Sequence, residues 1–163
     1  MNQNELINAM QTIPWLQEIS SEHFEKMVEI ASLVEVDPKQ ELFREGDPED
    51  FLYIVLQGRV AIEMNIPSHD RIRIYTAEPM DVVGWSSLTP VVRRMTAGAI
   101  AVLPSCLIRL DALELRQLCE GDYALGYVVM HRMANVVASR LLTTRLQLLD
   151  MFANPVGQEG THV

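Results

Sequence analysis

Apolar and polar positions change their period twice along the chain. Residues 4–12 and 21–31 carry helical spacing, the second with Phe24, Met27, Val28 and Ala31 at i, i+3, i+4 and i+7 behind Ser21 as a candidate N-cap. Pro14 separates the two. From Leu33 to about Leu110 the pattern breaks into short β-rich runs, SLVEV, ELF, FLYIVL, RVAIEM, RIRIYT, VVGW, AGAIAV and SCLIRL, divided by turn residues. Strands at this spacing predict an antiparallel roll, sandwich or barrel. Helical period returns at Asp111, an N-cap candidate with Glu114 three residues on, and again behind Asp122, where one long helix is expected to run to about Phe152. Along it Met130, Ala134, Val137, Leu141, Thr144, Leu148 and Met151 alternate steps of four and three, the a/d seam of a coiled coil. Its other face carries Arg132, Arg140, Arg145, Gln147 and Asp150, read as pointing outward. Residues 153–163 are polar and expected to fray.

At 163 residues the chain can bury one substantial core, and its 48% apolar and 21% charged content is that of a folded protein. Thirteen basic against 22 acidic residues, a formal charge of −9, argue against a general nucleic-acid surface, which needs clustered Lys and Arg. The N-terminal stretch lacks the pattern of a secretion signal and no apolar run is long enough to span a membrane, so a cytoplasmic protein is expected. Cys106 and Cys119 have neither a CxxC spacing nor a His partner and read as reduced packing residues. His23, His69, His131 and His162 are scattered, so no metal site is expected. The acids Glu45, Asp47, Glu49 and Asp50 lack the alternation of a calcium loop and read as solvated charge. No Ser-His-Asp order, phosphate loop or activated nucleophile stands out, and the chain is not expected to be an enzyme.

Two stretches carry more. In residues 42–63, Gly46 sits where a tight turn needs positive φ, Asp47 can cap it, and an apolar strand leads to a second turn glycine, Gly58. In residues 82–101, Gly84 opens a turn holding Trp85, Ser86, Ser87 and Leu88, followed by Arg93, Arg94, Met95, Thr96 and Ala97. Together they resemble the cyclic-nucleotide-binding domain family. Leu42, Phe43, Gly46, Asp47, the apolar residues 52–55 and Gly58 match its first signature, relaxed at Phe43 and Glu49. Val83, Gly84, Ser87 and Leu88, then Thr96, Ala97, Ala99 and Ala101, match its second across a gap of six residues, 89–94. The resemblance runs from the N-terminal helices through the long C-terminal one. It implies an α+β fold, an antiparallel double-stranded β-roll of about eight strands with short N-terminal helices (1–32), the roll itself (33–110) and C-terminal helices (111–152) ending in a dimerisation helix.

The resemblance also implies a ligand chemistry that this chain lacks. In the family a Glu accepts from the ribose 2′-hydroxyl and an Arg pairs with the cyclic phosphate; here those positions hold Trp85 and Met95. The chain is similar to a subgroup with Gly-Trp-Ser in place of Gly-Glu. The candidate pocket is then Gly84 to Leu88 with Arg93 to Ala97. Three readings are open: a stand-alone, non-catalytic regulatory or adaptor module; a sensor that binds a cyclic nucleotide or another planar or anionic ligand through Arg93 or Arg94 beside Trp85; or an accessory subunit of an enzyme, stable only with its partner. No cofactor is otherwise implied. The expected partners are a second copy along the helical seam and an unidentified protein, since no helix-turn-helix DNA reader comes after the long helix and no membrane segment is present.

Overall fold

The computed structural model describes residues 3–48, 50–89, 91–92 and 94–154. Helix α1 (Gln3–Gln11), a 3₁₀ turn (Pro14–Glu18) and α2 (Ser21–Glu29) precede the strands β1 (Ala31–Val36), β2 (Glu41–Phe43), β3 (Phe51–Gln57), β4 (Val60–Met64), β5 (Ile72–Ala77), β6 (Val82–Val83), β7 (Gly98–Ala101) and β8 (Ser105–Asp111). A second 3₁₀ turn, Trp85–Leu88, comes after β6, and α3 (Ala112–Gly121) and α4 (Tyr123–Ala153) close the chain. The strands form two four-stranded sheets ordered β1-β8-β3-β6 and β2-β7-β4-β5, with every neighbouring pair antiparallel. This is the α+β roll expected from the sequence, with the long C-terminal helix in place.

The first sheet is buried on both faces, which explains why residues 51–56 read as an unbroken apolar run rather than an alternating one. Leu52 and Ile54 of β3, with Ile108 and Leu110 of β8, face a layer made by the helices, where they meet Met10, Leu16, Met27, Leu115 and Leu125. Tyr53 and Val55, with Leu107, face the roll interior and meet Val60, Ala77, Ala99 and Ala101 of the second sheet. Each such fully buried Leu or Ile contributes on the order of 1.5–3 kcal/mol relative to exposure.

Local signals account for most boundaries. Gly46 and Gly58 adopt φ of +87° and +89°, as their turns require. Asp111 accepts from the Glu114 amide at 2.8 Å and starts α3. The N-cap of α2 is Ser20 rather than Ser21, its hydroxyl accepting from the His23 amide at 3.2 Å. The helix also stops short of Ala31, because that residue pairs with Leu110 as the first rung of β1. Pro14 does more than separate helices: it opens the turn that buries Trp15 and Leu16.

Helix α4 packs Leu125, Val129, Met133 and Val136 into the helix layer and continues past it along the roll. There Arg132 donates to the Met80 carbonyl (3.3 Å), Arg140 to that of Val82 (3.4 Å) and Gln147 to that of Ile74 (3.1 Å). Three residues read as outward thus face the roll, because the stripe that packs Leu125 to Val136 continues through 140, half-buried, and 147, exposed, with the half-buried 132 at its edge. The seam lies elsewhere: Met130, Leu141, Leu148 and Met151 are 39–70% exposed, Ala134 is exposed and Val137 half-buried.

Asp122 joins α2 to α4. It accepts from the amides of Ala124 (3.0 Å) and Leu125 (3.2 Å), capping α4, while Nε2 of His23 lies 2.6 Å from its Oδ2. The His23 contact first, then the Leu125 amide, hold its carboxyl below the usual aspartate value. A depressed carboxyl stabilises the fold fully above its unfolded value, near 3.9, and loses that contribution as pH falls through the lower folded one. Asp122→Asn keeps the cap and removes the charge. In urea titrations it should be less stable than the native chain at pH 7, with the difference closing below about pH 4; a constant difference across that range would show that the charge is immaterial.

Candidate functional site

The site is built where β6 turns away from β3. Gly84 has φ of +81°, and a Cβ there would sit 3.0 Å from the Phe51 carbonyl oxygen, so both backbone conformation and space favour glycine. The reversal sends the chain into the turn Trp85–Leu88, closed by Ser87 N–H to the Gly84 carbonyl (3.1 Å) and Thr89 N–H to that of Ser86 (3.0 Å). Arg116 of α3 donates to the Ser87 carbonyl, tying the turn to the helix layer. Ser87 and Leu88 form the buried side of the turn and do not line the cavity it borders; among the described residues the Ser87 hydroxyl has no partner.

Across from the turn, Met95 is fixed by two backbone bonds, its N–H to the Asp47 carbonyl (2.9 Å) and its carbonyl from the Gly46 N–H (2.8 Å). Its side chain is 3% exposed, and the Ser86 hydroxyl reaches its sulfur at 3.8 Å. The position at which the family resemblance implies a phosphate arginine therefore carries a buried thioether. Arg94 is exposed and donates to the Gly46 carbonyl at 2.8 Å, outside the lining of the cavity, because the paired backbone at Met95 holds its neighbour outward. Arg93 lies outside the described residues.

Gly84, Trp85, Ser86, Met95, Thr96 and Ala97 come together as one wall of a cavity of about 180 Å³. Phe43, Ile62, Ile74, Tyr75 and β6 complete the roll side. Trp85 is half-buried and packs against the helix-layer core as well as facing the cavity. The remaining wall is helix α4, through Arg140, Thr143 and Thr144. Thr144, expected on the seam, thus also borders the cavity. The Arg140 guanidinium carbon stands 3.2 Å from the centroid of the Tyr75 ring. The Tyr75 hydroxyl donates to Asp81 at 2.8 Å, and burial first, then that bond, push its phenol above the ordinary value against the opposing pull of Arg140. The hydroxyl therefore stays protonated.

Sequence reasoning missed Tyr75, Arg140 and Thr143. The available signal was the period of Leu125, Val129, Met133 and Val136, which extends to Arg140 and Thr143 on the same face. Elsewhere, burial pushes the Cys119 thiol up to about 11, which leaves it a packing residue. Among the described residues no three His, Cys, Asp or Glu side chains converge as a metal site, and no helix is long and apolar enough to cross a membrane.

The model of the cyclic nucleotide-binding domain matches residues 33–122, more than half of the chain. Among solved structures, a cyclic nucleotide-binding domain from Methylobacillus flagellatus KT superposes with a TM-score of 0.77 at 20% identity, over 90% of this chain and 84% of that one. The sensor domain of the transcriptional regulator DNR from Pseudomonas aeruginosa gives 0.70 at 18%, over 85% and 93%. A kinase regulatory subunit from Trypanosoma brucei, in a triple variant bound to cAMP, gives 0.70 at 17%, over 91% of this chain and 51% of that one. At these identities the likeness is one of fold. No curated protein matches the chain in sequence.

Because Gly84 combines left-handed φ with the close Phe51 carbonyl, Gly84→Ala should cost about 1–2 kcal/mol from the backbone alone. A denaturant midpoint equal to that of the native chain would mean that the turn relaxes without strain.

Proposed function

The chain belongs to the cyclic nucleotide-binding domain family, and from that premise we propose that it is a regulatory or adaptor module without catalytic chemistry, whose pocket has given up the ribose and phosphate contacts. One observation carries the reading: Trp85 and the buried Met95 occupy the positions where the family resemblance implies a carboxylate and a guanidinium, and the backbone bonds of Met95 to Asp47 and Gly46 keep Arg94 out of the cavity. Each lost charge-assisted contact is worth roughly 1.5–3 kcal/mol, together about 10²–10⁴-fold in affinity. The indole adds bulk where a sugar would lie.

The module works as a cytoplasmic homodimer and delivers its output through a protein partner. The seam of α4 supports the dimer, since Met130, Leu141, Leu148 and Met151 are left exposed at a/d spacing while a separate face of the same helix binds the roll.

Thermal unfolding tests the pocket. Millimolar cyclic AMP or cyclic GMP should leave the native midpoint unchanged, and a saturable rise would overturn the reading, because a ligand selective for the folded state raises it by mass action. The Trp85→Glu, Met95→Arg double variant should gain such a rise. Sedimentation equilibrium tests the seam: the native chain should be dimeric and Leu141→Asp with Leu148→Asp monomeric, and a monomeric native chain at micromolar concentration would remove the homodimer.

A further inference from the structure

The cavity beneath α4 holds a charge that the loss of nucleotide contacts leaves unexplained. Arg140 is the one ionic side chain lining it among the described residues, and no described carboxylate forms an ion pair with its guanidinium within 4.0 Å. The guanidinium is half-buried, stacked on Tyr75, and its backbone bond to the Val82 carbonyl is long at 3.4 Å. A guanidinium has five N–H donors in a planar fork that suits a carboxylate. The neighbouring hydroxyls do not compete as donors: Thr143 donates to the Ser139 carbonyl (3.1 Å) and Thr144 to that of Arg140 (2.9 Å). The rest of the wall is largely apolar and aromatic, with Phe43, Ile74 and Trp85 facing the space.

Size narrows the ligand. The cavity, about 180 Å³, exceeds the roughly 150 Å³ that admits benzene and falls below the roughly 300 Å³ at which pockets for drug-sized ligands begin. We propose that this cavity binds a small monocarboxylate with a ring-sized apolar body, the carboxylate on Arg140 and the body against Trp85 and Phe43. The inference rests on the proposed loss of ribose and phosphate contacts, and adds a ligand class that takes their place. Binding exchanges the long Val82 contact for a charge-assisted pair at a half-buried guanidinium with largely apolar neighbours, where such pairs are stronger than in bulk water.

Benzoate is the probe and benzyl alcohol its uncharged match, each titrated into the full chain while tryptophan emission and the thermal midpoint are followed. Trp85 borders the cavity, whereas Trp15 is buried in the helix layer, so the emission change belongs to Trp85. Benzoate should saturate, benzyl alcohol should bind at least about tenfold more weakly, and Arg140→Gln should weaken benzoate by about the same factor, as loss of a charge-assisted bond requires. Thr96→Leu, at an exposed wall position clear of the Arg140 contacts, fills space and should abolish saturation even if Arg140→Gln fails to fold. Undiminished benzoate binding by either folded variant, or equal binding of benzyl alcohol, overturns the inference. Cyclic AMP is titrated in parallel: a response to it alone sinks the replaced-contact reading and this inference together, whereas silence toward both ligands sinks only this inference.

Discussion

Strand β3 has no solvent face, and the rest of the molecule is arranged around that fact. Leu52 and Ile54 need a helix layer on one side, Tyr53 and Val55 need the second sheet on the other, and neither cover is optional when each uncovered side chain costs on the order of 1.5–3 kcal/mol. The helix layer must therefore come from both ends of the chain, α1 and α2 before the strands and α3 and α4 after them. The Asp122 cap, with His23 against it, is where the two halves of that layer meet.

The same constraint places the cavity. Strand β6 pairs with β3 for only two residues, Val82 and Val83, before Gly84 turns the chain away. The residues beyond Gly84 cannot join the sheet, so the turn from Trp85 to Leu88 is packed sideways between β3, α3 and the roll. Its chemistry is correspondingly split. Ser87 and Leu88 serve packing, whereas Trp85 and Ser86 border the open space together with Met95 across from them. Charge enters from the other direction, on α4. A pocket whose cation comes from a helix differs in kind from one whose cation comes from its own loop, because the charge is set by how the helix seats on the roll rather than by the fold of the loop.

Most of the roll was legible in the sequence because its strands are short, apolar and separated by unmistakable turn residues. The glycines at 46 and 58 and the caps at Asp111 and Asp122 act locally, and local chemistry is what a sequence displays. Apart from the one-residue slip of the α2 cap, the errors came where a distant partner decided the outcome. Ala31 continues a helical pattern but pairs with Leu110. Arg132, Arg140 and Gln147 are polar residues on a polar-looking face, yet each finds a backbone carbonyl of the roll. Trp85 and Met95 were visible as departures, but that Met95 is pinned by Asp47 and Gly46 depends on a contact across nearly fifty positions of sequence.

Helix α4 spans 31 residues, about 46 Å at 1.5 Å per residue. It is anchored near its start by Leu125, Val129 and Met133 and reaches beyond the helix layer with Arg140 partway along. Geometrically it is a lever with its fulcrum inside the protein. A tilt of about 10° around Met133 would carry Phe152, some 28 Å farther on, through about 5 Å, and it would first have to break the Gln147 bond to the Ile74 carbonyl, which latches the far half of the lever to the roll.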